Sequence, residues 1–319
     1  MKGLQQGVYV KMKNFMKRAY TVMEVRTGFA TGLPVLSGGL YGAYLSGQLK
    51  LLPLIFLFIS GFSFNIVANV ANEIRAHLKK EEDESTFTGH KGSEGLVRGE
   101  ASLTDAILVL SGFFILAGIS GLMVVYLTKS LLILVVGLIG ALAAVTYSLG
   151  PKPYIVYPVG EAVSGLLVGG ASSFVSAFLQ VGDWKIELFL YAFIPMMMTV
   201  FLMSTNNTSD YEKDKGSRKT LPHVIGFRNS IKLIIPEAIL MTLCWMILYA
   251  IGGITWWMLI SGLVVFYEFG YRRWYKDYYK IQEVYPAMGR EWGPRPLLLI
   301  YSFHTLLSVE FLIGFFLRG

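Results

Sequence analysis

Charge is scarce in this chain. Only 15% of its 319 residues are Asp, Glu, Lys or Arg, and 54% are hydrophobic, whereas a soluble domain carries roughly 25% charged residues. Too little polar sequence remains to build a water-exposed domain. Cysteine is scarcer still. Cys244 stands alone in an apolar stretch, which excludes an internal disulfide and fits a small packing residue. The histidines, His77, His90, His223 and His304, show no zinc-like spacing. The basic first twenty residues are not followed by a small-residue cleavage pattern, so no signal peptide is expected.

What fills the chain is a series of long apolar runs. Hydropathy divides them into about nine segments, near 27–47, 51–73, 103–127, 130–147, 154–182, 186–206, 229–251, 253–270 and 296–317. Several exceed the ~20 residues needed to cross the hydrocarbon core, so tilt is expected. The expected fold is all-α and integral to a membrane, with nine transmembrane helices around a central cavity that opens to the cytoplasmic side. Residues 27–319 would form this single domain.

With nine spans, 24 of the 28 Lys and Arg residues fall on one side, counting Lys232 at the start of the seventh span. That asymmetry places the N-terminus and the long loops in the cytoplasm of a multi-pass cell-membrane protein. The net charge of +7 then reflects topology and attraction to anionic membrane lipid, so no nucleic-acid partner is expected. Within residues 1–26, Leu4, Val8, Met12, Phe15 and Met16 share one helical side, opposite Lys11, Lys17 and Arg18. The pattern predicts a basic amphipathic helix on the cytoplasmic surface.

Two long polar segments, 69–102 and 206–228, each begin with asparagines followed by acids. In the first, Asn69, Asn72, Glu73 and Ala76/His77 share a helix face; in the second, Asn206, Asp210 and Asp214 do. Carboxylates at the mouth of a membrane span are costly and functional by default. One such motif alone would be read equally well as helix-end ion pairs; two matching motifs favour a site. Brought together, their hard oxygens suit magnesium bridged to a substrate diphosphate. Arg26, Lys79, Lys152, Arg218 and Lys219 are the cations available to balance the remaining phosphate charge. A diphosphate held in this way is a good leaving group, because metal and cations stabilise the charge that develops on it.

Between the motifs, Tyr147-Ser148-Leu149-Gly150-Pro151-Lys152-Pro153 forms a short, rigid turn. Glu161 has to face protein or water rather than lipid. Met196, Met197 and Met198 suit packing, or an isoprenoid-like chain. Packing is the simpler reading of the three.

Three segments carry a family resemblance. Asn69-Val70-Ala71-Asn72-Glu73 is similar to an N-x-x-N-D motif. Tyr147 to Pro153, with Gly160-Glu161 and Gln180-Val181-Gly182, is similar to Y-x-x-G-P-x-P, G-E/D and Q-x-G. The third segment is Asn206-Asn207-x-x-Asp210-x3-Asp214-x4-Lys219-Thr220-Leu221, closing with Gly226. Over residues 26–226 the chain resembles the UbiA superfamily of intramembrane prenyltransferases, and most closely the 1,4-dihydroxy-2-naphthoate polyprenyltransferases of menaquinone biosynthesis.

The resemblance implies Mg2+, a polyprenyl diphosphate donor and an aromatic acceptor, with naphthoate prenylation accompanied by loss of carbon dioxide. It implies metal ligation by Asn69, Glu73, Asp210 and Asp214. Diphosphate binding would fall to Arg26, Asn72, Lys79, Lys152, Asn206 and Lys219, and catalytic roles to Asp210, Asp214 and Tyr147. Glu161 and Met197 would line the acceptor or prenyl pocket. The sequence departs from the family pattern at Glu73 and Ala76, where aspartates are usual, and at Ser209 and Arg218. Glu82 and Asp83 would be substitutes for the missing carboxylate. Two other readings remain at this point: a prenyltransferase of the same superfamily with a different aromatic or lipid acceptor, and a non-enzymatic binding or transport protein. The clustering of charge at one membrane face, rather than at the midplane, argues against transport.

Overall fold

A long apolar run in lipid has to satisfy its own backbone hydrogen bonds, and a helix does so within one segment. The computed structural model describes residues 2–81, 94–272 and 294–318, with the backbone alone for residues 2–11 and 294–295. Glu82, Asp83 and His90 lie outside the described residues. Among those described, regular structure is entirely helical: α1 (Lys2–Met23), α2 (Val25–Ser46), α3 (Leu51–Lys79), α4 (Leu103–Thr128), α5 (Leu131–Thr146), α6 (Gly160–Val181), α7 (Ile186–Ser209), α8 (Leu221–Ile225), α9 (Phe227–Ala250), α10 (256–271) and α11 (Pro294–Arg318), with a single 3-10 turn at Tyr154–Val156.

Six of these helices, α3, α4, α6, α7, α9 and α11, are long and apolar enough to cross a membrane. The expectation from hydropathy was nine. Helix α5 has only 16 residues, α10 is equally short, and α2 carries glycine at 28, 32, 38, 39 and 42 where a bulky apolar residue would raise its hydropathy.

Those glycines let α2 sit in the middle of the bundle, against α3, α6 and α11. A Cβ at Gly42 would meet the Ala177 backbone of α6, with the carbonyl carbon and Cα each 2.9 Å away. A similar contact joins α6 to α7. There α6 widens into a π-helical turn over Gly165–Ala171, and a Cβ at Gly169 would run into the carbonyl of Pro195. The main core gathers Tyr41, Tyr44, Tyr191, Trp245, Phe266, Phe303 and Phe311 from α2, α7, α9, α10 and α11.

A second core joins α1, α3 and α4 through Ala19, Val22, Ile66, Val70, Ile74, Ala106 and Val109. Here α1 packs through a face that only partly coincides with the expected apolar stripe. Phe15 packs on this core together with Ala19 and Val22, while Met12 and Met16 remain 58% and 57% exposed. Leu4 and Val8 of the expected stripe lie outside the residues whose side chains are described. Arg18 fastens the helix by donating from Nε and Nη2 to Asp105, at 2.9 and 3.1 Å. Asp105 also closes the capping box with Ser102 that starts α4.

Candidate active site

A cavity of about 720 Å3 is lined by residues of α2 to α7, by Val22 of α1 and Leu297 of α11, and by the adjoining turns. Along α3 it is lined by one stripe, Leu57, Ser60, Gly61, Phe64, Asn65, Ala68, Asn69, Asn72, Glu73 and Ala76, with the Ser60 hydroxyl turned to the Ala117 carbonyl. The i, i+3/i+4 spacing keeps these on one face, and at 1.5 Å per residue the stripe is about 28 Å long. It begins apolar and ends polar. Phe114, Leu122, Ile133, Leu134, Leu138 and Leu167 continue the apolar section; Arg26, Asn206, Asp210, Lys213 and Arg218 complete the polar end.

The polar end is built by two helices meeting. On α3, Asn69 donates from Nδ2 to Thr27 Oγ1 at 2.5 Å and to Asn65 Oδ1 at 3.1 Å. Asn65 in turn donates to Thr31 Oγ1 at 2.9 Å. With its NH2 group committed to this ladder, Asn69 retains its amide oxygen as the acceptor for a cation. On α7, the chain leaves the helix at Ser209 and continues as a tight turn over 210–217 in which the Asp214 N–H donates to the Asp210 carbonyl at 2.8 Å. Asp210 therefore lies on the cavity wall, one helical turn beyond Asn206.

Arg218 joins the two motifs. Its Nη2 lies 3.4 Å from Asn72 Oδ1 and 3.6 Å from Glu81 Oε2, and its Nε lies 3.7 Å from Asp214 Oδ1. Glu81 also takes a close 2.6 Å contact from Arg75.

The residues singled out in the sequence separate into two groups. Arg26, Asn69, Asn72, Glu73, Tyr147, Asn206 and Asp210 line the cavity. Glu73 is at the same time committed to the backbone N–H of Leu96, at 2.7 Å. Asp214, Lys79, Lys152, Lys219, Glu161 and Met197 are outside the lining. Asp214 is 3% exposed and turned toward Arg218. Lys79, Lys152 and Lys219 are exposed; the Lys219 N–H donates to the Val156 carbonyl at 3.0 Å and so ties the 147–156 turn to the second motif. Glu161 is buried beneath the motif, where its Oε1 accepts from Asn207 Nδ2 at 2.7 Å and from the Leu221 N–H at 3.3 Å. Met197 packs in the main core. Gln180, part of the Q-x-G pattern, holds the α2–α3 turn by accepting from the Lys50 N–H at 2.6 Å.

Lining residues that sequence reasoning did not single out include Thr27, Asn65, Lys213, Tyr154, Glu24 and Glu94. Asn65 was detectable from its place one turn before Asn69. Glu24 and Glu94 arrive from sequence-distant turns and leave no local signal.

Among the described residues, no three Asp, Glu, His or Cys side chains converge to hold a metal unaided. The donor set instead fits magnesium, which commonly takes one or two carboxylates and completes its shell with substrate phosphate and water. Asp210 and the amide oxygens of Asn69 and Asn206 are such donors, beside three cations that suit an anion.

The UbiA prenyltransferase family matches residues 90–292. The chain belongs to this family. The family's all-helical, multi-pass membrane character agrees with the six apolar helices. The 1,4-dihydroxy-2-naphthoate octaprenyltransferase of Bacillus subtilis (strain 168) is 29% identical over 210 residues, covering 64% of this chain and 65% of that protein. The match thus spans just under two thirds of that relative's length. A UbiA homologue from Archaeoglobus fulgidus bound to GPP and Mg2+ superimposes with a TM-score of 0.64 at 17% identity, over 94% of this chain and 98% of that one. An apo UbiA homologue from Aeropyrum pernix K1 gives 0.63 at 14% identity, over 86% and 97%. These structures share the UbiA fold with the present chain.

Proposed function

We propose that this UbiA-family chain transfers a polyprenyl group from polyprenyl diphosphate to an aromatic acceptor, 1,4-dihydroxy-2-naphthoate, with loss of carbon dioxide. The observation that carries the reading is the polarity gradient along one 720 Å3 cavity: an apolar section for the chain, then asparagines, Asp210 and three cations for the diphosphate. The naphthoate assignment rests on the Bacillus relative and the Tyr147–Pro153 turn. The proposed topology has nine spans, with α2, α5 and α10 completing the six longer helices, and a cell-membrane location with the polar end facing the cytoplasm, as the Lys and Arg distribution requires.

Magnesium, when bound, would neutralise diphosphate charge and stabilise the leaving group. Asn69, Asn206 and Asp210 would hold it; Asp214 and Glu73 stand behind them. Arg26, Lys213 and Arg218 would bind phosphate oxygens, Arg by paired N–H donors. The allylic carbon–oxygen bond breaks with its electron pair passing to diphosphate. The ring carbon bearing the carboxylate attacks the allylic carbon, the new carbon–carbon bond forms, and the carboxylate leaves as carbon dioxide. The product is demethylmenaquinone in its quinol form. Tyr147 and Tyr154, whose rings meet edge-on at 6.0 Å, would shield the reacting end from water and orient the acceptor. The low dielectric around the chain strengthens each charge interaction at the polar end.

Purified protein in lipid, given magnesium, polyprenyl diphosphate and dihydroxynaphthoate, is expected to release diphosphate and carbon dioxide in equal amounts, and chelation of magnesium is expected to stop both. Diphosphate release without carbon dioxide, on another acceptor, would transfer the assignment to that acceptor. No turnover with any aromatic acceptor, together with no magnesium-dependent diphosphate binding, would refute the enzymatic reading.

Chain length offers a separate check. Gly118 of α4 lines the cavity, and a Cβ there meets nothing within 4 Å. Gly118→Phe is therefore expected to fill the apolar section without forcing helices apart. It should shift preference toward shorter prenyl diphosphates, measured as kcat/KM over a chain-length series. An unchanged series would mean the chain runs elsewhere.

A further inference from the structure

The backbone at Asp210 and Tyr211 is held from several directions. The Asp210 N–H donates to the Asn206 carbonyl at 2.9 Å, and the Asp210 carbonyl accepts from the Asp214 N–H at 2.8 Å. The Tyr211 N–H donates to the Thr208 carbonyl at 3.3 Å. These partners lie in the motif's own helix and turn. The Tyr211 carbonyl is met from outside the turn, by Nε2 of His223 at 2.8 Å. A carbonyl can only accept, so Nε2 carries a proton. Nδ1 of the same ring faces the hydroxyl of buried Thr220 at 2.9 Å. The imidazole also stacks on the Tyr211 ring, with centroids 4.6 Å apart and planes 11° from parallel. One side chain therefore joins Tyr211 to Thr220 and closes the stretch that carries Lys213, Asp214 and Arg218.

From this geometry we infer that His223 is a positioning residue for the metal–diphosphate end of the cavity. By holding the Tyr211 carbonyl it fixes the course of the chain at Asp210, and with it the direction in which that carboxylate leaves the cavity wall. The inference rests on the magnesium–diphosphate reading of the site. It extends that reading to a residue outside the cavity lining. Groups that orient metal ligands from behind commonly change metal affinity or activity by about 10- to 100-fold when removed. His223 acts through a single peptide group, which places its effect near the lower figure. The ends of the stretch have a second tie, because Glu161 Oε1 accepts from both Asn207 and the Leu221 N–H. Replacing the imidazole should therefore loosen the turn without opening it.

Two substitutions separate the hydrogen bond from the packing of the ring. In H223Q the amide nitrogen takes the place of Nε2 and can still donate to the Tyr211 carbonyl. In H223N the shorter amide matches Nδ1 and falls short of that carbonyl. Mn2+ affinity of the full chain in lipid would be measured by electron paramagnetic resonance in the presence of inorganic pyrophosphate. H223N is expected to weaken Mn2+ by about tenfold, and H223Q to restore most of that loss. In turnover, H223N should raise KM for polyprenyl diphosphate by about tenfold. KM for dihydroxynaphthoate and the melting temperature should stay near wild type. A merely structural histidine would move the melting temperature and both KM values together.

Wild-type Mn2+ affinity in H223N, or equal weakening in H223N and H223Q, would overturn the inference while leaving the underlying site reading in place. Wild type binding neither Mn2+ nor pyrophosphate would remove that reading and the inference together. Should H223N fail to fold, H223M decides. Methionine is as long as glutamine but has no donor, so H223M should bind Mn2+ about tenfold more weakly than H223Q. Equal affinity in those two variants would overturn the inference.

Discussion

Asp210→Ala is expected to lower prenyl-transfer turnover by on the order of 10²- to 10³-fold, the usual loss when one group stabilising transition-state charge is removed, without a comparable loss of heat stability. Asp210 closes α7 at the cavity wall, and its carbonyl accepts the Asp214 N–H that starts the following turn. That backbone bond survives truncation of the side chain, so the turn should persist. What disappears is a carboxylate on the cavity wall that Asn69 and Asn206 also line. Turnover would be followed by diphosphate release, and folding by the melting temperature in lipid. Glu212→Ala, an exposed position two residues on, is the control and should remain within about twofold of wild type, since surface positions seldom matter. An Asp210→Ala enzyme with ordinary turnover would refute the metal-binding role of this residue.

Gly42→Leu is expected to produce the largest stability loss. Its new Cβ would lie 2.9 Å from both the carbonyl carbon and the Cα of Ala177. These are backbone atoms of α6 and cannot rotate aside. Overpacking a tight interior contact costs about 1–3 kcal/mol, occasionally more, and a backbone-on-backbone contact belongs at the upper end. In a membrane, helix association depends on close packing of small residues rather than on expulsion of water. Separating α2 from α6 therefore loosens both the core and the cavity wall that α6 supplies. The measurement is the temperature at which the purified protein loses its monodisperse peak. Gly140→Leu on α5, where a Cβ has open space, should melt close to wild type. Equal melting of the two variants would refute the packing argument.

The helices were legible in the sequence because their signal is local. A run of apolar residues declares a buried or lipid-facing helix whatever packs against it. The i, i+4 spacing of Asn206 and Asp210, and of Asn65 and Asn69, fixes a shared face before any tertiary contact exists. Periodicity alone did not reveal that α1 also packs on α3 and α4 through Ala19 and Val22, beside Phe15, because that contact depends on helices far away in the chain. The resemblance implied a pocket position for Met197, but the packing of α7 against the core leaves Leu202 and Met203 on the cavity instead.

The sequence by itself determined an all-helical, apolar chain with two polar helix ends whose hard oxygens and cations point to metal and phosphate. Hydropathy and helical periodicity suffice for that. Only the tertiary structure decided which atoms face the cavity. Asp210 lies on its wall, whereas Asp214, one turn later, is turned to Arg218; Glu73 is held by the Leu96 N–H, and the lysines at 79, 152 and 219 point to solvent. Each of these outcomes depends on a partner far away in the chain or on the course of a turn, and neither is encoded in the spacing of the motif itself.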